Sequence, residues 1–146
     1  ALARFQGVKR RMEILASCED YVIYDDFAHH PTEIFKTLSS LREKIGNDQI
    51  IAVIEPRSRT MQSGLHDKEM AKALSPADSV IWYEGQDVKR SMSAELKKAK
   101  AEVYFAANIS EIIQITRQIK TTKSNIVIMS NGDFSGLREL IKKELD

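Results

Sequence analysis

The sequence predicts an α/β fold: a Rossmann-like, mostly parallel sheet flanked by helices, with an N-terminal antiparallel β-hairpin. Three observations predict it. Short apolar runs alternate with helical patterns, the run at 50–54 is continuously apolar, and two early runs are separated by a polar stretch. Alternating strands and helices favour a parallel sheet, and a continuous apolar run is typical of a strand buried on both faces.

Each element has its own local signal. Polar residues 17–20 separate apolar runs at 12–15 and 21–24, which predicts the hairpin. Pro31 favours a helix start, apolar residues recur at helical spacing as far as Ile45, and Gly46 favours an end, so a helix is predicted over 31–45. Further strands are predicted at 50–54, 79–83, 102–105 and 125–129, with helices near 65–74, 88–99, 109–120 and 135–145.

Composition narrows the class of protein. The 146 residues are 42% hydrophobic and 29% charged, which fits one globular domain over 1–146 rather than a disordered tail. No apolar run approaches the roughly 20 residues that cross a bilayer, so no membrane association is expected. A net charge of +1 lacks the basic excess of a general nucleic-acid binder, so no nucleic-acid partner is expected.

The cysteine content and the first residues bear on the origin of the chain. Cys18 is the single cysteine and has no internal disulfide partner, so we expect the reducing cytoplasm. The sequence starts at Ala1 without an initiator methionine or a signal segment. We interpret it as a piece of a longer protein.

Ligands of such a sheet lie beyond the carboxyl ends of its strands, so the loops at 25–31, 55–64, 83–87, 106–110 and 130–136 are the candidate sites. The loop at 25–31 has the sequence Asp-Asp-Phe-Ala-His-His-Pro. Its carboxylates and imidazoles could bind a metal, ribose hydroxyls or a substrate amine, or could simply cap the helix. We expect no zinc site, because neighbouring histidines on a strand point to opposite faces.

Three further segments carry charge or glycine. Arg57 and Arg59, with hydroxyls between them, suit carboxylate or phosphate recognition, or are solvated loop charges. Segment 130–136 has two glycines and could cradle an anion, although it matches neither a dinucleotide fingerprint nor a P-loop. The basic cluster at 7–11 could equally face solvent.

Together these segments resemble the C-terminal domain of the Mur ligases. The resemblance lies in Gly-Val-Lys-Arg-Arg at 7–11, Tyr-Asp-Asp-Phe-Ala-His-His-Pro-Thr at 24–32, the run 50–58 ending Glu-Pro-Arg-Ser with Thr-Met at 60–61, and Met-Ser-Asn-Gly at 129–132. It implies a three-domain enzyme that uses ATP and Mg²⁺ to activate a muramate carboxylate as an acyl phosphate, which an amine then attacks.

Within the family, Glu-Pro-Arg-Ser followed by Thr-Met resembles the members that join UDP-N-acetylmuramate to the cell-wall tripeptide L-Ala-γ-D-Glu-meso-diaminopimelate in peptidoglycan recycling. The aspartate–histidine–proline block also occurs in the members that add L-alanine, which remain an alternative. Because the chain contains no Gly-Lys-Ser/Thr P-loop, a non-catalytic peptide- or nucleotide-binding module is a third possibility. We expect the fragment alone to be inactive, with ATP and Mg²⁺ bound mainly by the central ATPase domain.

The resemblance also implies roles for individual residues. For the nucleotide it implies Arg11, with Arg10 as competitor, at a phosphate, and Asp26, with Asp25 beside it, at the ribose or the closed domain arrangement. For the incoming peptide it implies His29 and His30 near the amine and acyl phosphate, Arg57 and Ser58 at the peptide carboxylates, and Ser130 and Asn131 lining the pocket. We expect no metal site in this fragment, because Cys18 and His66 show no ligand spacing that would complete one. The sequence departs from the family pattern at Asp133 and Ser135, where glycines are usual, and at Gln62, where lysine is common.

Overall fold

A computed structural model describes residues 10–56, 67–85 and 93–145. The strands in this part of the chain are β1 (Glu13–Ser17), β2 (Tyr21–Asp26), β3 (Gln49–Ile54), β4 (Ser79–Tyr83), β5 (Glu102–Ala106) and β6 (Ser124–Met129). The helices are α1 (Pro31–Ile45), α2 (Asp67–Ala73), α3 (Ser93–Leu96), α4 (Ile109–Ile119) and α5 (Leu137–Glu144), and a 3₁₀ turn over Phe134–Gly136 precedes α5.

The strands form one sheet in the order β1-β2-β6-β3-β4-β5. The β1–β2 pair is antiparallel and all other neighbours are parallel, which confirms the predicted fold class and hairpin. Chain order and strand order differ at one place, because β6 returns from the far edge to lie between β2 and β3.

Two apolar layers cover the sheet. One side packs against α1, α2 and α3 through residues such as Leu38, Met70 and Leu96. The other packs against α4 and α5 through residues such as Ile112 and Ile141. Strands β3 and β6 lie at the centre and are buried along almost their whole length, as the unbroken apolar run at 50–54 predicts for β3.

Most predicted boundaries agree with the structure within a residue or two, and the 31–45 helix agrees fully. The helix predicted over 88–99 is the main difference. Its described part is the single turn Ser93–Leu96, because the N–H groups of Lys98 and Ala99 bond three residues back and end it. Residues 86–92 lie outside the described part. The last helix begins at Leu137 rather than 135 because the 3₁₀ turn occupies the preceding residues.

The amino end of the sheet is held by uncharged hydrogen bonds around Gln49 and by Arg42. The Gln49 side chain donates to the Ile119 carbonyl at 2.8 Å and accepts from the Ser124 hydroxyl at 2.6 Å. Arg42 donates to the carbonyls of Pro76, Gly46 and Asp48, and to the carboxylate of Asp78 at 2.7 Å. Among the described helices, none combines the length and the apolar run that a membrane crossing requires.

Candidate functional site

The candidate site lies where the carboxyl ends of β2, β6 and β3 meet. Asp26 and Met129 are paired across β2 and β6. Just beyond, the Ser130 N–H donates to the Asp26 carbonyl at 3.2 Å, and the Glu55 N–H donates to the Met129 carbonyl at 3.1 Å. The three chemically dense loops, which start at residues 25, 55 and 130, therefore begin side by side.

The topology opens a crevice at this point. Strands β2 and β3 lead toward α1 and α2 on one face of the sheet, whereas β6 leads toward α5 on the other. Loops that leave neighbouring parallel strands in opposite directions separate, and ligands of open α/β sheets bind in the resulting crevice.

Asp26, the last residue of β2, accepts hydrogen bonds from the segments packed around it. Its carboxylate accepts the N–H groups of Met12 and Ala28, each at 2.9 Å, and the Thr37 hydroxyl lies at 3.5 Å. The residue is 6% exposed, and this burial raises the pKa of Asp26, although the two backbone N–H groups oppose the shift. Asp26 thus ties the hairpin and the start of α1 together.

Asp25 lies between two arginines. Its Oδ2 accepts from Arg10 Nε at 3.2 Å, and its Oδ1 accepts from Arg138 Nε at 2.8 Å, with the carboxylate side chain only 4% exposed. Burial raises the pKa of Asp25 and the Arg10 guanidinium opposes the rise. Asp25 is thus paired with two guanidinium groups, one on each of its oxygens.

The structure distinguishes Arg10 from Arg11. Arg10 is occupied, because besides Asp25 it donates to the Ser130 carbonyl at 2.6 Å and lies over the Phe27 ring at 5.3 Å. Arg11 is exposed and forms no ion pair with another described residue. Of the two, Arg11 therefore has the guanidinium that is available to a ligand.

The backbone around Arg11 is held in a left-handed conformation. Arg10 and Met12 have φ angles of 65° and 52°, which for residues with a Cβ costs roughly 1–2 kcal/mol each. The bond from the Met12 N–H to Asp26 stabilises this turn. The exposed Arg11 is thus presented from a strained turn that a buried carboxylate holds.

His29 and His30 follow β2 rather than lying on it. Their rings are 5.3 Å apart, so the expectation that they point to opposite faces is wrong, since the strand has ended at Asp26. His29 Nδ1 lies 3.0 Å from the Phe27 carbonyl, and His30 is the N-cap of α1 without a side-chain capping bond. Both rings are half-buried at the rim of the crevice.

Ser130 and Glu55 form a buried pair between β6 and β3. The Ser130 hydroxyl donates to Glu55 Oε1 at 2.5 Å and accepts the Gly132 N–H at 3.0 Å. Ser130 has no exposed surface and Glu55 is 5% exposed, whereas the adjacent Asn131 is half-buried. The pair fixes the start of the 130–136 loop. Asn131, the next residue, is partly exposed.

Several predicted positions lie outside the described residues. They are Gly7, Val8, Lys9, Arg57, Ser58, Arg59 and Gln62. The predicted departures Asp133 and Ser135 are described: Ser135 has φ 50° and ψ 36°, and Gly136 has φ 76°. A glycine at 135 would therefore suit the left-handed geometry that serine adopts here at a cost, whereas Asp133, with φ −78° and ψ −22°, has an ordinary right-handed conformation.

A groove of about 480 Å³ runs from the site along α1 and the hairpin. Its wall includes Arg11, Asp26 and Thr37 as well as the apolar Ile14 and Leu41. A volume in this range suits a ligand of nucleotide size.

The donor set does not favour a divalent cation in this part of the protein. No three histidine, cysteine, aspartate or glutamate side chains of the described residues converge closely enough for one. The buried carboxylates are already engaged, Asp25 by arginines, Asp26 by backbone N–H groups and Glu55 by Ser130.

Sequence reasoning missed Arg138 and gave Glu55 no role. Arg138 did carry a signal, because a cation in the first turn of a helix opposes the helix dipole and needs a local reason. Glu55 reaches Ser130 only because β3 and β6 are neighbours, which the order of residues along the chain does not reveal.

Comparison with known proteins identifies relatives across almost the whole chain. The sequence profile described as Mur ligase, glutamate ligase domain, matches residues 10–132. The UDP-N-acetylmuramate–L-alanyl-γ-D-glutamyl-meso-2,6-diaminoheptandioate ligase of Haemophilus influenzae is 35% identical over 146 residues, which cover 99% of this chain and 32% of that protein.

Two further likenesses fall within the same family. The crystal structure of a murein peptide ligase from Psychrobacter arcticus superposes with a TM-score of 0.83 at 33% identity, covering 94% of this chain and 30% of that one. The UDP-N-acetylmuramate–L-alanine ligase of Streptococcus agalactiae is 49% identical over 139 residues, 91% of this chain and 30% of that protein.

The chain thus spans about a third of the length of the curated relatives it matches. The profile match covers far more than half of the chain, and it includes the hairpin, the central strands and the start of the last loop. The chain therefore belongs to the Mur ligase family, as a C-terminal, glutamate ligase domain.

Proposed function

We propose that residues 1–146 are the C-terminal, amine-substrate-binding domain of a three-domain, ATP-dependent ligase that joins UDP-N-acetylmuramate to L-Ala-γ-D-Glu-meso-diaminopimelate in peptidoglycan recycling. The observation that carries the proposal is the likeness over 99% of the chain to the Haemophilus influenzae ligase, whose name states both substrates. The crevice at the carboxyl ends of β2, β6 and β3 supports it, because cationic donors and imidazoles converge there.

In the proposed reaction, the muramate carboxylate takes the terminal phosphoryl group of ATP, and the peptide amine then attacks the acyl phosphate, releasing phosphate and losing a proton. Because the chain contains no P-loop, ATP and Mg²⁺ are held mainly by the central ATPase domain. The domain formed by residues 1–146 contributes the amine substrate and closes over the acyl phosphate. This closure keeps water away from the acyl phosphate.

On the nucleotide side, Arg11 contacts phosphate, since its guanidinium is exposed while that of Arg10 is occupied. Asp26 reaches the ribose or holds the closed arrangement, and Asp25 and Arg10 support it. The groove beside Asp26 gives the nucleotide room.

On the peptide side, His29 and His30 lie at the rim of the crevice, near the amine and acyl phosphate. Arg57 and Ser58 bind the peptide carboxylates, since a guanidinium fork matches a carboxylate. Asn131 lines the pocket, and the buried Ser130 positions it.

A second candidate is a UDP-N-acetylmuramate–L-alanine ligase, favoured by the 49% identity with the Streptococcus agalactiae enzyme. The two candidates share the first substrate and differ in the amine. An acceptor comparison therefore separates them.

The test uses the full-length ligase that carries this chain, supplied with ATP, Mg²⁺ and UDP-N-acetylmuramate. We expect phosphate release and product with the tripeptide, weak or no turnover with L-alanine, and a higher peptide KM in Arg57→Ala at nearly unchanged ATP KM. Arg117→Ala is the matched control, because Arg117 is exposed on α4 and, among the residues that the structure describes, bonds only Glu144.

Each other outcome changes the proposal in a defined way. Turnover with L-alanine alone moves the assignment to the second candidate. No turnover with either amine, in an enzyme that binds peptide or nucleotide, supports a non-catalytic binding module. Turnover by the 146-residue chain alone contradicts the prediction that it is inactive by itself.

A further inference from the structure

Arg138 stands in the first turn of α5 with its side chain only 15% exposed. Its Nε donates to Asp25 Oδ1 at 2.8 Å and its Nη1 donates to the Asp133 carbonyl at 2.8 Å. It therefore links the end of β2 to the loop that follows β6.

Asp25 connects Arg138 to Arg10, because it accepts a hydrogen bond from each of them. One carboxylate oxygen faces each arginine: Arg10 forms a single contact with Asp25, through Nε, and directs its Nη2 to the Ser130 carbonyl at 2.6 Å. Without Arg138, both Asp25 oxygens would be open to the guanidinium fork of Arg10, and bidentate pairing is the stronger arrangement. Arg10 would then turn away from Ser130.

Arg10 in turn supports the exposed face of the site. It lies over the ring of Phe27, which is 43% exposed and meets the His29 ring edge-on at 5.5 Å. His29 also lies against the Phe27 carbonyl. The orientation of an exposed aromatic and an imidazole thus depends on a buried chain of contacts.

One feature shows that Arg138 is not placed for stability alone. Its Nη2 is buried and finds no hydrogen-bond acceptor among the described residues, and an unpaired buried donor costs roughly 1–3 kcal/mol. Its charge also opposes the dipole of α5. Arg138 thus makes its contacts with Asp25 and Asp133 despite these two unfavourable contributions to the free energy of folding.

We infer that Arg138 is a positioning residue of the candidate site: by occupying one oxygen of Asp25 it keeps Arg10 on the Ser130 carbonyl and the Phe27 ring, and so holds the His29 side of the crevice in place. The consequence for catalysis rests on the proposed function. The consequence for the position of Arg10 does not rest on the proposed function, so the two consequences can be tested separately.

The first experiment follows the Arg10 Nε–H signal of the ¹⁵N-labelled 146-residue chain by NMR. In Arg138→Met we expect its exchange with water to accelerate at least tenfold, because Arg10 loses its fixed geometry. Arg117→Ala, which removes another arginine bound to α5, should leave the rate within twofold, and Arg138→Lys should restore it by occupying Asp25. Should Arg138→Met not fold, Arg138→Leu, which likewise has no hydrogen-bond donor for Asp25, serves the same test.

An unchanged Arg10 exchange rate in a folded Arg138→Met or Arg138→Leu chain would overturn the inference. In the full-length ligase, where the proposed function puts His29 at the incoming amine, Arg138→Met should raise the KM of the amine substrate at least fivefold with kcat changed less than twofold. A merely structural role would lower the active fraction, and hence kcat, at constant KM. If the wild-type ligase shows no turnover, the proposed function fails while the NMR result still decides the role of Arg138.

Discussion

The two ends of the sheet handle polar groups in opposite ways. At the amino end, Gln49 and Arg42 bond mainly to neighbouring carbonyls and hydroxyls. At the carboxyl end, Asp25 and Glu55 are almost fully buried, and their partners are an arginine pair and a serine.

The same contrast appears in the backbone. After α1, near the amino end, the left-handed position is Gly46, with φ 67° and ψ −121°. At the carboxyl end, Arg10, Met12, Phe134 and Ser135 all have positive φ although each carries a Cβ. Strain retained where a glycine would relieve it is typical of functional sites, whereas the amino end is built for stability.

The largest expected effect compares two aspartates that each bond an arginine. Asp25→Ala leaves two partly buried guanidinium groups without their anion and should lower the free energy of unfolding by about 3 kcal/mol. Asp78→Ala should cost about 1 kcal/mol, since Asp78 is half exposed. Urea titration of both variants measures the difference, and equal losses would contradict the contrast.

The second comparison separates stability from activity. Ser130→Ala removes a buried and a half-buried hydrogen bond, Gln49→Ala removes half-buried ones, and each should cost about 1–3 kcal/mol. Only Ser130→Ala should also lower kcat/KM of the full-length ligase, by roughly tenfold, because it moves the loop that carries Asn131. If Gln49→Ala lowers kcat/KM as much, the division of roles between the two ends is wrong.

The third comparison relieves backbone strain at one position and introduces it at another. Ser135→Gly should stabilise the chain by about 0.5–1 kcal/mol, the left-handed strain relieved less the entropy that glycine adds to the unfolded state. Gly46→Ala should destabilise it by about 2 kcal/mol through backbone conformation alone, as open space surrounds the position of the new Cβ. Thermal denaturation reports both signs, and destabilisation by Ser135→Gly would show that the hydroxyl matters more than the strain.

The smallest expected effect is a pH dependence at Asp26. Burial raises its pKa in the folded state, so the folded chain binds the proton more tightly than the unfolded chain does. The wild type therefore loses stability as pH rises from the ordinary aspartate pKa, about 3.9, through the raised value.

Asp26→Asn does not titrate at this position, so it is the matched reference. The stability advantage of the wild type over Asp26→Asn should be largest at acid pH and should shrink across that window. Urea titrations between pH 3 and 7 measure it, and an advantage that grows with pH would mean that the two backbone N–H groups outweigh burial.

How much of the site could be predicted depended on the range of the contacts involved. Pro31 and Gly46 bound α1 through local rules, and the 31–45 helix was predicted without error. Loop 130–136 was recognised from its glycines. The His29–His30 geometry was wrong because the alternation of side chains along a strand was applied to two residues that lie beyond the end of β2. Helix α3 was predicted too long because periodicity alone does not detect a turn.

The sequence by itself determined the α/β class, the order of strands and helices and the resemblance to the Mur ligases, because each is written in local periodicity, turn residues and contiguous motifs. Only the tertiary structure decided that β6 lies between β2 and β3, that Arg10 is occupied while Arg11 is exposed, and that Arg138 reaches Asp25 across 113 positions of the chain. The physical reason is that such contacts depend on which strands become neighbours, and strand order follows from the packing of both faces of the sheet.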